Sequence, residues 1–201
     1  MEHVAKEVRL SKGSILFQEG DPGDGMYIIR QGEVEISVLS ESGRKLALNI
    51  MGPEEVLGEI GLFGGDRTAT ATALSDCVLA SIRRPEVLAE LKTNPDLALE
   101  FINLLSERLR YVSAQLGERT FLPLSARLAR RLLYLDGKVG EKSGSVPVSQ
   151  ADLADFVGTT RESVAKTLSV WKLNGWVSIS RGKVNLLNMD ALEELAEQLP
   201  D

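Results

Sequence analysis

The stretch SQADLADFVGTTRESVAKTLSVW, residues 149–171, constrains the fold more than any other part of the sequence, because it has the pattern of two short helices joined by a tight turn. Ser149 is followed three positions later by Asp152, and Thr159 is followed three positions later by Glu162, so each pair has the spacing of a capping box at a helix start. The small or apolar residues that a close crossing of two helices requires are Ala154, Gly158 and Val164. The stretch therefore predicts a helix-turn-helix.

Two short alternating segments follow this motif. Residues 177–180 and 183–186 are separated by Arg181-Gly182, and a two-residue connection that ends in glycine is typical of a β-hairpin. The flanking sequence predicts an amphipathic basic helix over residues 125–135, a loop over 136–147 and an acidic helix over 190–198. A hairpin placed after a helix-turn-helix predicts a winged arrangement.

The net charge of −6 is unevenly distributed along the chain. Residues 122–189 contain 10 basic and 5 acidic residues, whereas residues 1–121 have a net charge of −6 and residues 190–201 a net charge of −5. A basic segment between acidic ones is the electrostatic pattern of a domain that binds a polyanion. The predicted partner of this segment is double-stranded DNA.

The second helix of the motif would present Arg161, Glu162 and Lys166 near its N-terminus, where side chains of a recognition helix reach base edges. Arginine can bond guanine, glutamate can accept from cytosine, and lysine can reach a guanine or a phosphate. The predicted phosphate contacts, which position a protein without specifying a sequence, are Ser149, Gln150, Thr160, Ser163, Arg181 and Lys183. The alternative is that Glu162 only caps the helix, and that Arg161 and Lys166 form a solvated face.

The first 82 residues have a different pattern. From residue 8 onward, short alternating segments such as Val34-Glu35-Ile36-Ser37-Val38 are separated by glycines between Gly13 and Gly52. Short, evenly punctuated strands predict a β-barrel or roll. The chain as a whole is therefore predicted to belong to the α+β class.

One loop of this region, residues 58–68, has candidate ligand-binding residues. The turn from Gly58 to Leu62 would expose backbone N–H groups, which attract an anion. Arg67 can bind a phosphate bidentately, Thr68 offers a hydroxyl, and Glu59 can accept hydrogen bonds from a ribose. The alternative from spacing alone is a Glu-Arg ion pair between turn glycines.

A long helix is predicted between the two regions. Its apolar residues recur at gaps of three and four, and they are Ile102, Leu105, Leu109, Val112 and Leu116. The pattern favours dimerisation through this seam over packing within the chain, and residues 117–123 are predicted to form a hinge. The predicted division is a roll at 1–94, a dimerisation helix and hinge at 95–120, and a DNA-binding domain at 121–201.

The composition excludes several kinds of site. A single cysteine, Cys77, and a single histidine, His3, nearly exclude zinc fingers, four-thiolate iron–sulfur clusters and Ser-His-Asp chemistry. No apolar run approaches the roughly 18 residues of a membrane span, and the first residues have no secretory signal pattern. We therefore expect a cytoplasmic protein without a zinc or iron–sulfur site.

Several features of the sequence occur together in a single order. They are the glycine-punctuated roll, the segments GEIGLF and DRTATA, the long helix and the segment GTTRESVAKTL. In this combination the chain resembles the CRP/FNR family of bacterial transcription regulators. The resemblance covers nearly the whole chain. It implies a homodimer whose roll binds a cyclic nucleotide and whose C-terminal domain binds a palindromic operator and acts on RNA polymerase. Within this family, we expect a regulator that is not an enzyme and has no metal, and the absence of histidine from the roll argues against a haem-gated member. The ligand-binding residues that it implies are Gly58, Glu59, Ile60, Arg67, Thr68, Arg108 and Ser113.

The sequence departs from the CRP branch at one ligand position. The helix residues that contact adenine in CRP-like proteins are a Thr-Ser pair, and here they are Val112 and Ser113. A threonine after the arginine, as in Arg67-Thr68, also occurs in family members that bind cyclic GMP. These departures make cyclic GMP the second candidate effector, while cyclic AMP stays the first. The remaining alternatives are another effector, DNA binding without a small effector, or a cyclic-nucleotide module that regulates an enzyme or channel.

Overall fold

The computed structural model describes residues 5–138 and 142–197. The chain consists of two compact units, one that ends at Leu109 and one that begins at Arg110. The predicted α+β class, with an N-terminal roll, a long helix and a C-terminal winged helix-turn-helix, is confirmed. The three-part division at 1–94, 95–120 and 121–201 stays a prediction.

The first unit consists mainly of short strands. They are β1 (Lys6–Leu10), β2 (Ile15–Phe17), β3 (Gly25–Gln31), β4 (Val34–Leu39), β5 (Lys45–Met51), β6 (Val56–Leu57), β7 (Thr70–Ala73) and β8 (Cys77–Arg83). A short 3-10 helix, Ile60–Phe63, lies between β6 and β7. The strands form two four-stranded sheets, in the orders β1-β8-β3-β6 and β2-β7-β4-β5, and all the pairings are antiparallel.

The core of the roll is formed by apolar side chains from both sheets. Ile29 and Leu79 from one sheet and Val34 and Ala71 from the other are fully buried in a single cluster. Burying a side chain of this size contributes about 1.5 to 3 kcal/mol. The alternating pattern of the sequence thus forms two sheets that share one core.

Two helices follow the roll, α1 (Arg84–Thr93) and α2 (Pro95–Phe121). The hinge predicted over residues 117–123 is narrower in the structure, because α2 continues through Gly117 and only Leu122 and Pro123 lie between α2 and the next helix. The segment 117–121 has no proline, and proline is the residue that most strongly ends a helix. Pro123 therefore marks the break.

The second unit contains α3 (Leu124–Lys138), β9 (Ser145–Val146), α4 (Gln150–Val157), α5 (Arg161–Leu173), β10 (Val177–Ser180), β11 (Lys183–Leu186) and α6 (Met189–Ala196). The three strands form one antiparallel sheet in the order β10-β11-β9. The hairpin has the bounds that the sequence predicted, with Ser180 opposite Lys183 across the turn.

Other boundaries differ from the prediction. Helix α3 extends to Lys138, and β9 lies within the segment predicted as a loop at 136–147, of which residues 139–141 are outside the described part. Helix α6 ends at Ala196, and the predicted last residue, Gln198, also lies outside the described residues. None of the described helices is both long and apolar enough to span a membrane.

Candidate functional site

Arg67 occupies the centre of the candidate ligand site in the first unit. Its backbone is fixed by two hydrogen bonds to the loop before β3, from its own N–H to the Asp21 carbonyl (2.7 Å) and from the Gly20 N–H to its carbonyl (2.8 Å). Its side chain is only 2% exposed. An ionised side chain at this depth requires compensating partners, because burial of an unpaired charge is costly.

The guanidinium of Arg67 is held from several directions. Nη1 donates to the carbonyls of Gly25 and Gly58, each at 2.8 Å, and Nη2 donates to Oδ1 of Asp24 at 2.9 Å. The guanidinium carbon lies 4.3 Å from the centroid of the Phe17 ring. Nε is buried and has no hydrogen-bond partner among the described residues. The cation is therefore fixed in place and retains one uncommitted donor.

Asp24 is the partner of Arg67 that an anion could replace. Its side chain is 76% exposed, and it borders an open cleft of about 430 Å³ between the loop at Pro22 and the 3-10 helix at Gly61. A ligand phosphate would compete with this carboxylate for Nη2 of Arg67. Sequence reasoning missed Asp24, although the acidic, glycine-rich run GDPGDG from Gly20 to Gly25 contained a signal for it.

Glu59 pairs with an arginine of α2 rather than with Arg67. Its Oε1 lies 3.4 Å from Nε of Arg108, whose Nη2 donates to the Val56 carbonyl at 2.7 Å. Burial raises the pKa of Glu59 above its usual range, and the positive charges of Arg108 and Arg67 offset part of this effect. The predicted alternative of a direct Glu59–Arg67 pair is therefore replaced by two separate pairs, one with Arg108 and one with Asp24.

Gly58 is required at its position by the arginine beside it. Its φ is +81°, and a Cβ there would lie 2.5 Å from Nη1 of Arg67. Ile60 is 51% exposed, and Thr68 is exposed directly after Arg67. The structure thus brings together Gly58, Glu59, Ile60, Arg67, Thr68 and Arg108 in the first unit. Ser113, the seventh predicted residue, is exposed on α2 within the second unit.

The apolar seam of α2 is largely exposed. Four of its five predicted residues are exposed by between 57% and 69%: Ile102, Leu109, Val112 and Leu116. Leu105 does not belong to this face, since it packs against the cluster of Met26, Leu62 and Phe101 in the first unit. The exposed seam of α2 therefore consists of Ile102, Leu109, Val112 and Leu116, without Leu105.

The helix-turn-helix forms from α4 and α5. Ser149 caps α4 with the predicted capping box, in which its Oγ accepts from the Asp152 N–H at 3.1 Å. Ala154 and Val164 are buried where the helices meet, and Gly158 ends α4 in the left-handed region, with φ +68° and ψ +46°. This conformation is accessible to glycine without a steric penalty.

Helix α5 begins one residue later than predicted. The N–H of Thr159 bonds back to the Ala154 carbonyl at 3.0 Å, so Thr159 belongs to the end of α4. Thr160 is the N-cap instead, and its Oγ1 accepts from the Ser163 N–H at 3.2 Å. Thr160 and Ser163, both predicted phosphate contacts, are therefore also the capping pair of this helix.

Some of the predicted DNA-contacting residues lie together on the second unit. Five of them line a single groove of about 300 Å³ between the start of α4, the start of α5 and the hairpin turn: Ser149, Gln150, Arg161, Arg181 and Lys183. Glu162 and Lys166 are exposed on α5, and hydrogen bonds from the backbone and Thr160 lower the pKa of Glu162. The lining of the groove therefore includes three cationic side chains, Arg161, Arg181 and Lys183.

Metal ligation has no comparable support. Among residues 5–138 and 142–197, no group of three or more histidine, cysteine, aspartate or glutamate side chains is placed to hold a metal ion.

Comparison with known proteins links both units to one class of regulator. The model of the cyclic nucleotide-binding domain matches residues 7–94, and the model of the Crp-like helix-turn-helix domain matches residues 126–195. The chain is 30% identical over 195 residues to the CRP-like cAMP-activated global transcriptional regulator of Mycobacterium tuberculosis, covering 94% of this chain and 87% of that protein.

Solved structures of transcription regulators are also similar to this chain. A transcriptional regulator of the CRP/FNR family from Thermus thermophilus has a TM-score of 0.85 and 28% identity, with 96% of this chain and 99% of that chain covered. The c-di-GMP responsive global regulator CLP of Xanthomonas campestris has a TM-score of 0.82 and 25% identity, with 92% and 94% covered. These similarities extend over both units.

Proposed function

Since the chain belongs to the CRP/FNR family of transcription regulators, whose members are regulators rather than enzymes, we propose that it is a cytoplasmic homodimer in which a cyclic nucleotide bound in the roll controls binding to a palindromic operator. Arg67 is the observation that carries the proposal. It is a buried, immobilised cation with an uncommitted donor, inside the segment that matches a cyclic nucleotide-binding domain.

The residues around Arg67 suit the parts of a cyclic nucleotide. Arg67 and Thr68 would bind the cyclic phosphate, and Gly58 and Glu59 would bind the ribose. Arg108 supports this assignment, because its positive charge favours the ionised form of Glu59, which accepts hydrogen bonds from the ribose hydroxyls. Ile60 would cover one side of the ligand with apolar surface, and its exposed side chain is available for that contact.

The identity of the base depends on a few residues of α2 and the loop. Val112 has no hydrogen-bonding group, so Ser113 is the polar side chain of α2 that we assign to the base. Thr68, beside the phosphate, would also reach the amino group of a guanine. Cyclic AMP is the first candidate, supported by the cAMP-activated relative from Mycobacterium tuberculosis, and cyclic GMP is the second. The similarity to a c-di-GMP responsive regulator keeps a different effector as the specific alternative.

The exposed seam of α2 supports the proposed homodimer. Contiguous apolar surface on a helix is the usual signature of a helix-helix interface. A two-fold dimer would place the two grooves at half-sites about 34 Å apart, which is why we propose a palindromic operator. Ligand bound against α2 would favour one arrangement of the dimer, to the extent of its differential affinity for the two states. RNA polymerase is the partner proposed for the DNA-bound state.

Arg161 and Lys183 are expected to contribute to DNA binding in different ways. The test uses a duplex selected from a random-sequence pool by the wild-type protein with cyclic AMP. Arg161→Ala is expected to weaken binding by about 1 to 3 kcal/mol and to relax the preference at one base position, because arginine at the start of α5 reads a base edge. Lys183→Ala is expected to weaken binding evenly across sequences and to reduce the salt slope by about one.

The two variants serve as controls for each other, since each removes one cation from the same groove. Binding is measured by fluorescence anisotropy on the selected duplex and on its single-base variants at several salt concentrations. An even loss of affinity in Arg161→Ala across all the duplexes would assign Arg161 to a phosphate instead. Unchanged affinity in both variants would place the DNA elsewhere on the protein.

A further inference from the structure

Three arginines converge at the end of α4, around Phe156, Val157 and Gly158. We call Arg119 of α2 and Arg127 and Arg131 of α3 the arginine cluster. Arg119 lies against the turn, because its guanidinium carbon would be 3.5 Å from a Cβ placed on Gly158. The cluster thus meets the C-terminal end of α4, the first helix of the motif.

Only part of the hydrogen-bonding capacity of the arginine cluster is used by the protein. Nη1 of Arg127 donates to the Val157 carbonyl at 3.0 Å, and Nη1 of Arg131 donates to the Tyr111 hydroxyl at 3.3 Å. The Arg131 guanidinium also lies 5.4 Å from the centroid of the Phe156 ring. These contacts fix the positions of Arg127 and Arg131 without supplying a negative charge.

Two donors of the arginine cluster are buried and uncommitted. Nη2 of Arg119 and Nε of Arg127 have no hydrogen-bond partner among the described residues. Burial lowers the pKa of Arg119, and the positive charges of Arg127 and Arg131 lower it further. A buried donor left unsatisfied costs about 1 to 3 kcal/mol, and more when it is charged.

The nearby carboxylate compensates the cluster only in part. Glu118 borders the same space, but its Oε1 accepts a hydrogen bond from Nη1 of Arg130 at 3.1 Å. Its negative charge is therefore paired with an arginine outside the cluster. The other bordering side chains and backbone come from Gln115, Phe156 and Val157, none of which is charged. The space between these residues therefore has an excess of positive charge.

The size of this space limits what it can hold. The centre of a water-sized body has about 10 Å³ of space inside the cavity, so the cavity admits one small body such as a water molecule or a monatomic ion. Phosphate and sulfate are too large for it. A water molecule fits but brings no charge, whereas a monatomic anion can accept from both free donors and offset the repulsion among the arginines.

We propose that the arginine cluster is a binding site for one monatomic anion of the chloride class, held by Nη2 of Arg119 and Nε of Arg127. The anion joins the last turn of α2, the helix α3 and the C-terminal end of α4. It therefore stabilises the second unit and the helix-turn-helix within it. The site is separate from the nucleotide site and the DNA groove, and it does not depend on either proposed ligand.

The test is thermal unfolding of the full-length chain at constant ionic strength, with chloride exchanged stepwise for gluconate. Both tryptophans, Trp171 and Trp176, lie in the second unit, so their fluorescence reports the unfolding of that unit. We expect the Tm of this unit to rise by about 5 to 11 °C for each tenfold increase in chloride above its dissociation constant. Arg119→Gln is expected to abolish this dependence.

Lys172→Gln is the matched control, because it removes one exposed cation of α5 in the same unit. It should retain the chloride dependence of the wild type. A Tm independent of chloride in the wild type, or an equal dependence in Arg119→Gln, would overturn the proposal. If Arg119→Gln does not fold, wild-type crystals grown with bromide decide: anomalous density between Arg119 and Arg127 supports the site, and its absence contradicts it.

Discussion

Arg67→Gln is expected to weaken the binding of cyclic AMP by at least about 100-fold, since hydrogen bonds to a charged group contribute on the order of 1.5 to 3 kcal/mol each. The structure explains the size of the effect. The guanidinium is fixed by Gly25, Gly58 and Asp24 before any ligand arrives, so little ordering of the side chain opposes binding. Glutamine is too short and uncharged to replace it.

The measurement is calorimetric titration with cyclic AMP, cyclic GMP and cyclic di-GMP. For the wild type we expect cyclic AMP to bind most tightly, and for Arg67→Gln we expect all three to bind weakly, because the phosphate is common to them. Arg67→Lys keeps the charge without the planar fork and is expected to lose less affinity than Arg67→Gln.

Arg30→Gln is the matched control for these variants, because it removes a cation from β3 of the same unit, where Arg30 pairs with Glu54 near the surface. The Tm of each variant shows whether its roll is folded. If folded Arg67→Gln binds cyclic AMP as tightly as Arg30→Gln does, Arg67 is not the phosphate ligand.

Leu109→Glu is expected to convert the protein to a monomer and to reduce its affinity for the selected duplex by roughly 100-fold to 10,000-fold. Leu109 is 69% exposed near the middle of the α2 seam, so a glutamate there is tolerated in the monomer. In a dimer, two such carboxylates would be buried close together, which is strongly unfavourable. A monomer also loses the gain that comes from binding two half-sites at once.

Sedimentation velocity measures the oligomeric state, and fluorescence anisotropy measures DNA binding. Leu39→Glu is the matched control, since Leu39 is similarly exposed, at 61%, but lies at the end of β4 in the roll. It should remain dimeric and bind normally. A dimeric Leu109→Glu variant with wild-type affinity would show that α2 is not the dimer interface.

The elements that sequence reasoning predicted well are those specified by local chemistry. The hairpin was located to the residue because a two-residue turn fixes the register of its strands. The capping box at Ser149 was also correct. The start of α5 was wrong by one residue, because Thr159 and Thr160 are equally good caps in sequence. The choice was made by the backbone hydrogen bond from Thr159 to Ala154.

The parts that could not be predicted depend on contacts between distant segments. Arg67 was identified, but Asp24, its ion-pair partner, lies 43 residues earlier in the chain. Glu59 was identified as a ribose ligand, while its contact with Arg108 requires the fold that brings α2 to the 3-10 helix. Leu105 has the same spacing as the rest of the seam, and only packing shows that it faces the roll.

The most direct test of nucleotide-controlled DNA binding is the operator affinity of the wild-type protein with and without saturating cyclic AMP, at one fixed salt concentration. Typical coupling free energies predict that cyclic AMP strengthens binding by about 5-fold to 150-fold, and by reciprocity that the operator strengthens cyclic AMP binding by the same factor. Equal operator affinities in the presence and absence of cyclic AMP would contradict control by this ligand.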